Sequence, residues 1–300
     1  MHRDGYMMHK YQPDRAIGST WHPLVHNKAK ELAIQEDETA SVIFMIGQYY
    51  RASSDQLFIE NFYDSFIQPC THFLANYVDR TTDLPHASYD LWEEKFLTNT
   101  YTVSVTIAAL ETASEIAKLT SHPDDFSVWK QAADRFRKHL DTLYSPENYF
   151  YKGYLLQPDG NLAIDKVIDI SSLYGVYMYS GLSMDDPRII GTYNKVMDKL
   201  TDKSPIGGVV RYENDHYLLG KTNYIGNPWV VCTLWLAQFL IAKQDKQSAL
   251  KHIQWSLDRR MKSGILSEQF DPEDGKPIGV APLVWSHAEL ISTLLDYYDY

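Results

Sequence analysis

Val103-Ser104-Val105-Thr106-Ile107-Ala108-Ala109-Leu110-Glu111-Thr112-Ala113-Ser114-Glu115-Ile116-Ala117-Lys118 decides the fold class. Val103, Ile107, Leu110, Ala113 and Ala117 recur at i, i+4, i+7 spacing, while Glu111, Glu115 and Lys118 lie off that stripe, so the segment reads as a helix with a buried face. Similar periodicity near 36–52, 55–79, 124–143, 169–180, 186–201, 227–243, 245–261 and 282–298 brings the expectation to about nine helices. Start signals bound several of them: Asp124 or Asp125 before Phe126, Asp186-Pro187 before Ile189, and Pro282 ahead of the last.

Strand signals are few. Tyr149 to Ile164 holds Gln157-Pro158-Asp159-Gly160-Asn161 between apolar flanks, and Gly207 to Tyr217 alternates around Val209 and Tyr212. Both read as small β-hairpins inserted between helices. With no Pro/Ser-rich linker and no shift in composition, residues 1–300 are expected to form one all-α domain. Consecutive helix pairs suit an αα toroid or an α-solenoid, and the lack of a fixed-period repeat counts against the solenoid.

Composition narrows the function. The chain has 300 residues, 44% hydrophobic and 22% charged, which excludes disorder and collagen-like repeats. A net charge of −11 repels a phosphate backbone, so nucleic acid is not an expected partner. The 22 tyrosines, 11 phenylalanines and 7 tryptophans exceed what a core needs and suit a groove for sugar, nucleobase or peptide. Cys70 and Cys232 each sit in an apolar stretch and read as small core residues, not as a disulfide framework or a zinc site. No run approaches the roughly 18 apolar residues of a membrane span, and Met1 to Asp14 has no apolar h-region, so the chain reads as soluble, with the cytoplasm as default.

Chemistry concentrates in a few loops. Ser88-Tyr89-Asp90-Leu91-Trp92-Glu93-Glu94 sets three carboxylates around a Trp ahead of a helix. Mutual repulsion would leave one of them holding a proton near neutrality, as a general acid must. The same letters also describe the acid-rich first turn of a helix, and taken alone the segment favours that description. Glu268, within Gly264 to Asp271, lies among apolar and amide neighbours and could activate a water; the alternative is a capped loop. Two carboxylates on opposite sides of a bond are what glycoside hydrolysis requires. Gly207-Gly208-Val209-Val210-Arg211-Tyr212 and Gly226-Asn227-Pro228-Trp229 add a forked donor and a flat ring, or else a surface ion-pair partner and a core residue. Trp21 sits in another loop, Gly18 to Pro23. Asp271 to Gly275 lacks the alternating acids of a calcium loop and reads as a turn. His22 and His26 are interrupted by Pro23, and metal-site, nucleotide-binding and serine-hydrolase motifs are missing, so neither a metal nor a cofactor is expected.

Six collinear segments together resemble the glucoamylases, family 15 of the glycoside hydrolases, in their prokaryotic branch. They are His9 to Asp14, Gly18 to Pro23, Gln35-Glu36-Asp37-Glu38-Thr39-Ala40, Asp90 to Glu94, the Gly207 to Trp229 pair, and Leu266 to Gln269 leading to Ala281-Pro282-Leu283-Val284-Trp285-Ser286-His287. The resemblance implies an (α/α)6 barrel and inverting release of β-glucose from α-linked chain ends of starch-like or malto-oligosaccharide substrates. By similarity Glu93 is the general acid and Glu268 the general base, and Trp21, Asp90, Trp92, Glu94, Arg211 and Trp229 surround the sugar. Counting back from both glutamates, the helix near 36–52 matches the family's fourth. The expectation is therefore an incomplete barrel of about nine of twelve helices, without the family's early Arg-Asp segment and preceding β-sandwich. Such a barrel would expose apolar flanks, and a partner chain could supply the missing helices. Other readings are a non-catalytic or partner-dependent carbohydrate-binding subunit, a glucodextranase or trehalase, and an α-solenoid scaffold.

Overall fold

A computed structural model describes the chain except Ser19, Trp21, Pro23, Leu24, Asn27, Lys221, Thr222 and Tyr300 and the side chains of His26 and Ala29. Ten α-helices occur among the described residues. They are α1 (Glu36–Ser53), α2 (Gln56–Phe62), α3 (Gln68–Asn76), α4 (Thr100–Leu119), α5 (Pro123–Lys138), α6 (Ile170–Tyr179), α7 (Pro187–Lys199), α8 (Val230–Ala242), α9 (Lys246–Asp258) and α10 (Val284–Tyr298). A π-helical turn at Tyr63–Ile67 joins α2 to α3, so nine continuous helical segments result, in the places the periodicity predicts. The turn widens just ahead of Pro69, whose nitrogen has no hydrogen to donate to the preceding turn.

Local chemistry sets the helix ends. Asn99 caps α4 by accepting from Thr102 N–H, Asp186 caps α7 through Arg188 N–H, and Asp245 caps α9 through Ser248 N–H. At α5 the expected cap is displaced: the helix begins at Pro123, and Asp124 and Asp125 lie in its first turn, where carboxylates oppose the dipole.

Two compact units are distinguished by their internal contacts. The first comprises Met1–Tyr144, Gly153–Asp165 and Met178–Gly181; the second comprises Ser145–Lys152, Lys166–Tyr177 and Leu182–Tyr300. In the first, α4 packs against both α1 and α5. Val103, Ile107, Leu110, Ala113 and Ala117 are fully buried, and the other faces of α4 are largely buried too, which makes it the central helix there. A four-stranded antiparallel sheet lies beside it, in the order Leu162–Asp165, Gly153–Leu156, Phe96–Asn99, Ser88–Tyr89. Its outer hairpin is the one expected around Gln157 to Asn161, with Leu162 opposite Leu156 and Asp165 opposite Gly153.

In the second unit α8 packs against α9 and α10, and nearly every residue of α8 is buried, Trp235 and Phe239 among them. Val209–Val210 does not fold back within 207–217. It pairs across a longer loop with Pro228–Trp229, which pairs with Gln269–Phe270, which pairs with Pro277–Ile278. Gly208 has φ +85° and lies against Trp255, where a Cβ would stand 2.5 Å from the ring, so packing accounts for this glycine. Val230, Leu234, Trp255, Leu266 and Phe270 form the core beneath this sheet. On α10, Val284, Ile291, Leu295 and Tyr298 are exposed at i, i+7, i+11, i+14. On α1, Met45 and Tyr49 are exposed as well.

Candidate active site

The segment Ser88 to Glu94 is not the first turn of a helix. Ser88–Tyr89 pairs with Phe96–Asn99, Ser88 opposite Leu97 and Tyr89 opposite Phe96, and the acids occupy the hairpin turn between them. Asp90 closes that turn. Its N–H donates to Lys95 O at 2.8 Å, its carbonyl accepts from Glu93 N–H at 2.8 Å, and its Oδ1 accepts from Glu94 N–H at 2.8 Å and Lys95 N–H at 3.0 Å. Only 2% exposed, Asp90 is a turn keystone in this geometry. Glu93 takes φ +63°, a conformation costly for a residue with a Cβ, and carries its carboxylate half-exposed at the tip. Trp92 is buried beside it and Glu94 is exposed. Trp21, the remaining expected sugar contact of this region, lies outside the described residues.

Around Glu93 the structure gathers groups whose role spacing alone does not reveal. His9 Nε2 lies 3.8 Å from Glu93 Oε2, and His9 Nδ1 lies 3.4 Å from Glu38 Oε1 and 2.7 Å from Gln35 Oε1. Gln35 Nε2 donates to Asp90 O at 2.9 Å, so α1 and the hairpin turn are tied through one amide. Asp37, also at the start of α1, accepts from Thr102 Oγ1 at 2.7 Å. Burial, reinforced by neighbouring carboxylates that include Glu93, pushes Asp37 up to about 7 and Glu38 up to about 9. Glu38 is protonated in neutral water, while Asp37 is about half protonated there and fully so only in weakly acidic water. His22 stacks on Tyr89 with ring centroids 3.8 Å apart, and burial lowers its pKa to about 4, so it stays neutral. The carboxyls with raised pKa values therefore include Glu36, Asp37 and Glu38 at the start of α1, to none of which the sequence reading gave a role. Their only sequence signal was membership of the Gln35 to Ala40 segment.

The second unit holds Glu268 at the end of a strand. Its N–H donates to Val280 O at 3.0 Å and its carbonyl accepts from Val230 N–H at 3.2 Å. Gln269 Nε2 donates to Glu268 Oε2 at 3.1 Å, and Asn227 Nδ2 donates to Gln269 Oε1 at 2.7 Å, an amide relay that fixes the carboxylate's orientation. Gly279, with φ +77°, lies so close that a Cβ there would stand 2.0 Å from Glu268 Oε2. Burial raises the Glu268 pKa from its ordinary value, while the Gln269 hydrogen bond and the Arg211 charge pull the other way. A carboxylate so placed is a stronger base than one in open water. His287 Nε2 accepts from Leu266 N–H at 3.0 Å, steadying the chain just before Glu268.

Arg211 is not a surface ion-pair partner. It is 3% exposed and forks onto Asp215, with Nε to Oδ2 at 2.7 Å and a terminal nitrogen to Oδ1 at 2.8 Å. Its guanidinium stands 4.6 Å from the Trp229 ring centroid and 5.0 Å from that of Tyr217. Trp229 is 3% exposed. Behind them Lys152 and Asp169 pair at 3.1 Å, both buried, with Lys152 over the Tyr212 ring.

The model of glycosyl hydrolases family 15 matches residues 28–261 and 246–295. The chain belongs to this family. Similar proteins include an uncharacterized glycosyl hydrolase of Methanocaldococcus jannaschii, 28% identical over an alignment of 277 positions that covers 88% of this chain and 42% of that protein. A glucoamylase of a Clostridium species is 26% identical over 91% of this chain and 40% of its own length, and trehalase 2 of Sulfolobus acidocaldarius is 23% identical over 92% and 44%. The crystal structure of a bacterial glucoamylase complexed with acarbose superposes with a TM-score of 0.73 at 23% identity, covering 90% of this chain and 42% of that one. That likeness identifies the helical fold as the family 15 (α/α)6 type. The chain spans less than half the length of each of these four proteins.

Proposed function

We propose that the chain carries the catalytic groups of an inverting glycosidase that releases β-glucose from the α-linked ends of starch-like or malto-oligosaccharides. Glu93 is read as the acid that protonates the leaving oxygen, and Glu268 as the base that takes a proton from the attacking water. The observation that carries this reading is the Glu93 turn: a half-exposed carboxylate on a left-handed backbone, pinned by Asp90 and bordered by His9 and Glu38. In support, Glu268 is held by an amide relay in a partly buried setting that strengthens it as a base. The buried positions of Asp90, Arg211 and Trp229 suit residues that shape the site from behind.

A trehalose-cleaving activity is the second reading, favoured by the archaeal trehalase relative. Reducing-sugar release from maltose, isomaltose and trehalose ranks the two. On the preferred substrate, Glu93→Gln and Glu268→Gln each lower kcat by about a hundred- to ten-thousand-fold; full activity in either variant removes that residue from the mechanism. A chain that binds malto-oligosaccharide without cleaving it supports a partner-dependent subunit, whose site another polypeptide completes.

A further inference from the structure

We propose that His9 is a positioning residue for Glu93, sharing a single proton with its carboxyl through Nε2; the proposal rests on reading Glu93 as the acid. Hydrogen-bond logic fixes the imidazole. A backbone carbonyl only accepts, so Gln35 turns its NH2 toward Asp90 O and its amide oxygen toward His9 Nδ1. An amide oxygen also only accepts, so His9 Nδ1 carries a hydrogen. Nε2 is then the nitrogen left to accept or hold the second proton, and it faces Glu93 Oε2 at 3.8 Å, so the shared proton requires the half-exposed Glu93 carboxylate to turn toward the ring. The His9 side chain is 2% exposed, which holds the ring in that direction.

The other groups around the ring do not take Glu93's place. Glu38 on α1 meets Nδ1 and is protonated near neutrality, so it adds a dipole and not a full charge. Asp37, further along, is bound to Thr102 and is half-protonated near neutrality. His22, with its ring 4.2 Å away, stays neutral. Asp90 directs Oδ1 into the turn, and the Lys10 charge opposes protonation of the neighbouring imidazole of His22. Among the described groups, Glu93 is the carboxylate that faces Nε2.

One proton then serves the pair, as carboxyl with neutral imidazole or as carboxylate with imidazolium. When the O–H bond of Glu93 breaks and the glycosidic oxygen takes the proton, carboxylate and neutral imidazole remain. A proton from water at His9 Nε2 restores the pair for the next turnover.

The test is a pH titration of the full chain with its histidine rings carbon-labelled, read by NMR. The His9 resonance is identified as the one lost in His9→Gln, or in His9→Asn should the first variant fold poorly. Glu93→Gln is expected to lower the His9 midpoint by about one pH unit, because it removes a negative charge about 4 Å from the ring. In turnover, His9→Asn is expected to move the alkaline limb of kcat/KM toward acid by about one unit, with KM changed less than twofold. A His9 midpoint that does not move in Glu93→Gln overturns the proposal, as does a uniform loss of rate in His9→Asn with an unshifted pH profile. If Glu93→Gln abolishes turnover while the His9 midpoint stays put, this proposal alone fails. If Glu93→Gln turns over at full rate, the acid reading fails and the relay with it.

Discussion

Oδ1 of Asp90 accepts the backbone N–H of Glu94 at 2.8 Å and, at 3.0 Å, that of Lys95, closing the hairpin turn that presents Glu93. Asp90→Ala therefore leaves two backbone donors unmatched in a partly buried turn. The expected cost is about 1–3 kcal/mol of stability, measured by denaturant unfolding. Activity is expected to fall at least tenfold through kcat, since the variant displaces the acid and leaves the sugar-facing groups in place. Asp90→Asn keeps one acceptor oxygen and is expected to lose less on both measures.

Gly279 stands in the same relation to the other glutamate. In Gly279→Ala the new Cβ meets Glu268 Oε2 and the backbone keeps a left-handed conformation. The conformation alone costs about 1–2 kcal/mol. We expect a melting temperature lowered by a few degrees, and a kcat reduced much more than the stability loss explains, because the carboxylate must rotate away from Gln269. Equal losses in kcat and in folded fraction would show that Gly279 serves only the turn.

Asp37 and Glu38 give stability a specific pH dependence. Their folded pKa values are raised, to about 7 and about 9, while in the unfolded chain they titrate in the usual carboxylate range near 4. Between those limits the folded state holds more protons than the unfolded one. Their contribution to stability therefore falls as pH rises, from about 4 to about 7 for Asp37 and on to about 9 for Glu38, and levels off beyond. Thermal unfolding across pH 5 to 9 is expected to show a declining melting temperature. Asp37→Asn with Glu38→Gln is expected to make the decline shallower, what remains belonging to the buried Glu36, whose pKa burial also raises, and an unchanged slope would show that these carboxyls ionise in the folded chain as they do in water.

The helices were legible because each buries a face at a spacing printed in the sequence, as Val103, Ile107 and Leu110 do on α4. The acid turn was harder. Asp90 to Glu94 precedes a helix in sequence, but Phe96–Asn99 intervenes as a strand, and its partners Ser88–Tyr89 and Gly153–Leu156 are set partly by a segment more than fifty residues away. Long-range pairing of that kind leaves no local signature. Val209–Val210 likewise finds Pro228–Trp229 only across a long loop. Arg211 shows the limit of residue type as a guide: its guanidinium is buried and forked onto Asp215, four residues on, which the letters alone do not announce. His9, Gln35 and Glu38 were visible as parts of recognisable segments, but their meeting at Glu93 depends on packing of the N-terminal stretch against α1.

Proton NMR of the first glucose released by the chain, recorded before mutarotation, tests the assignment of Glu93 and Glu268 most directly. The account predicts the β-anomer from an α-linked substrate, with the signal lost in both Glu93→Gln and Glu268→Gln. Initial release of the α-anomer, or a β-signal undiminished in either variant, would contradict it.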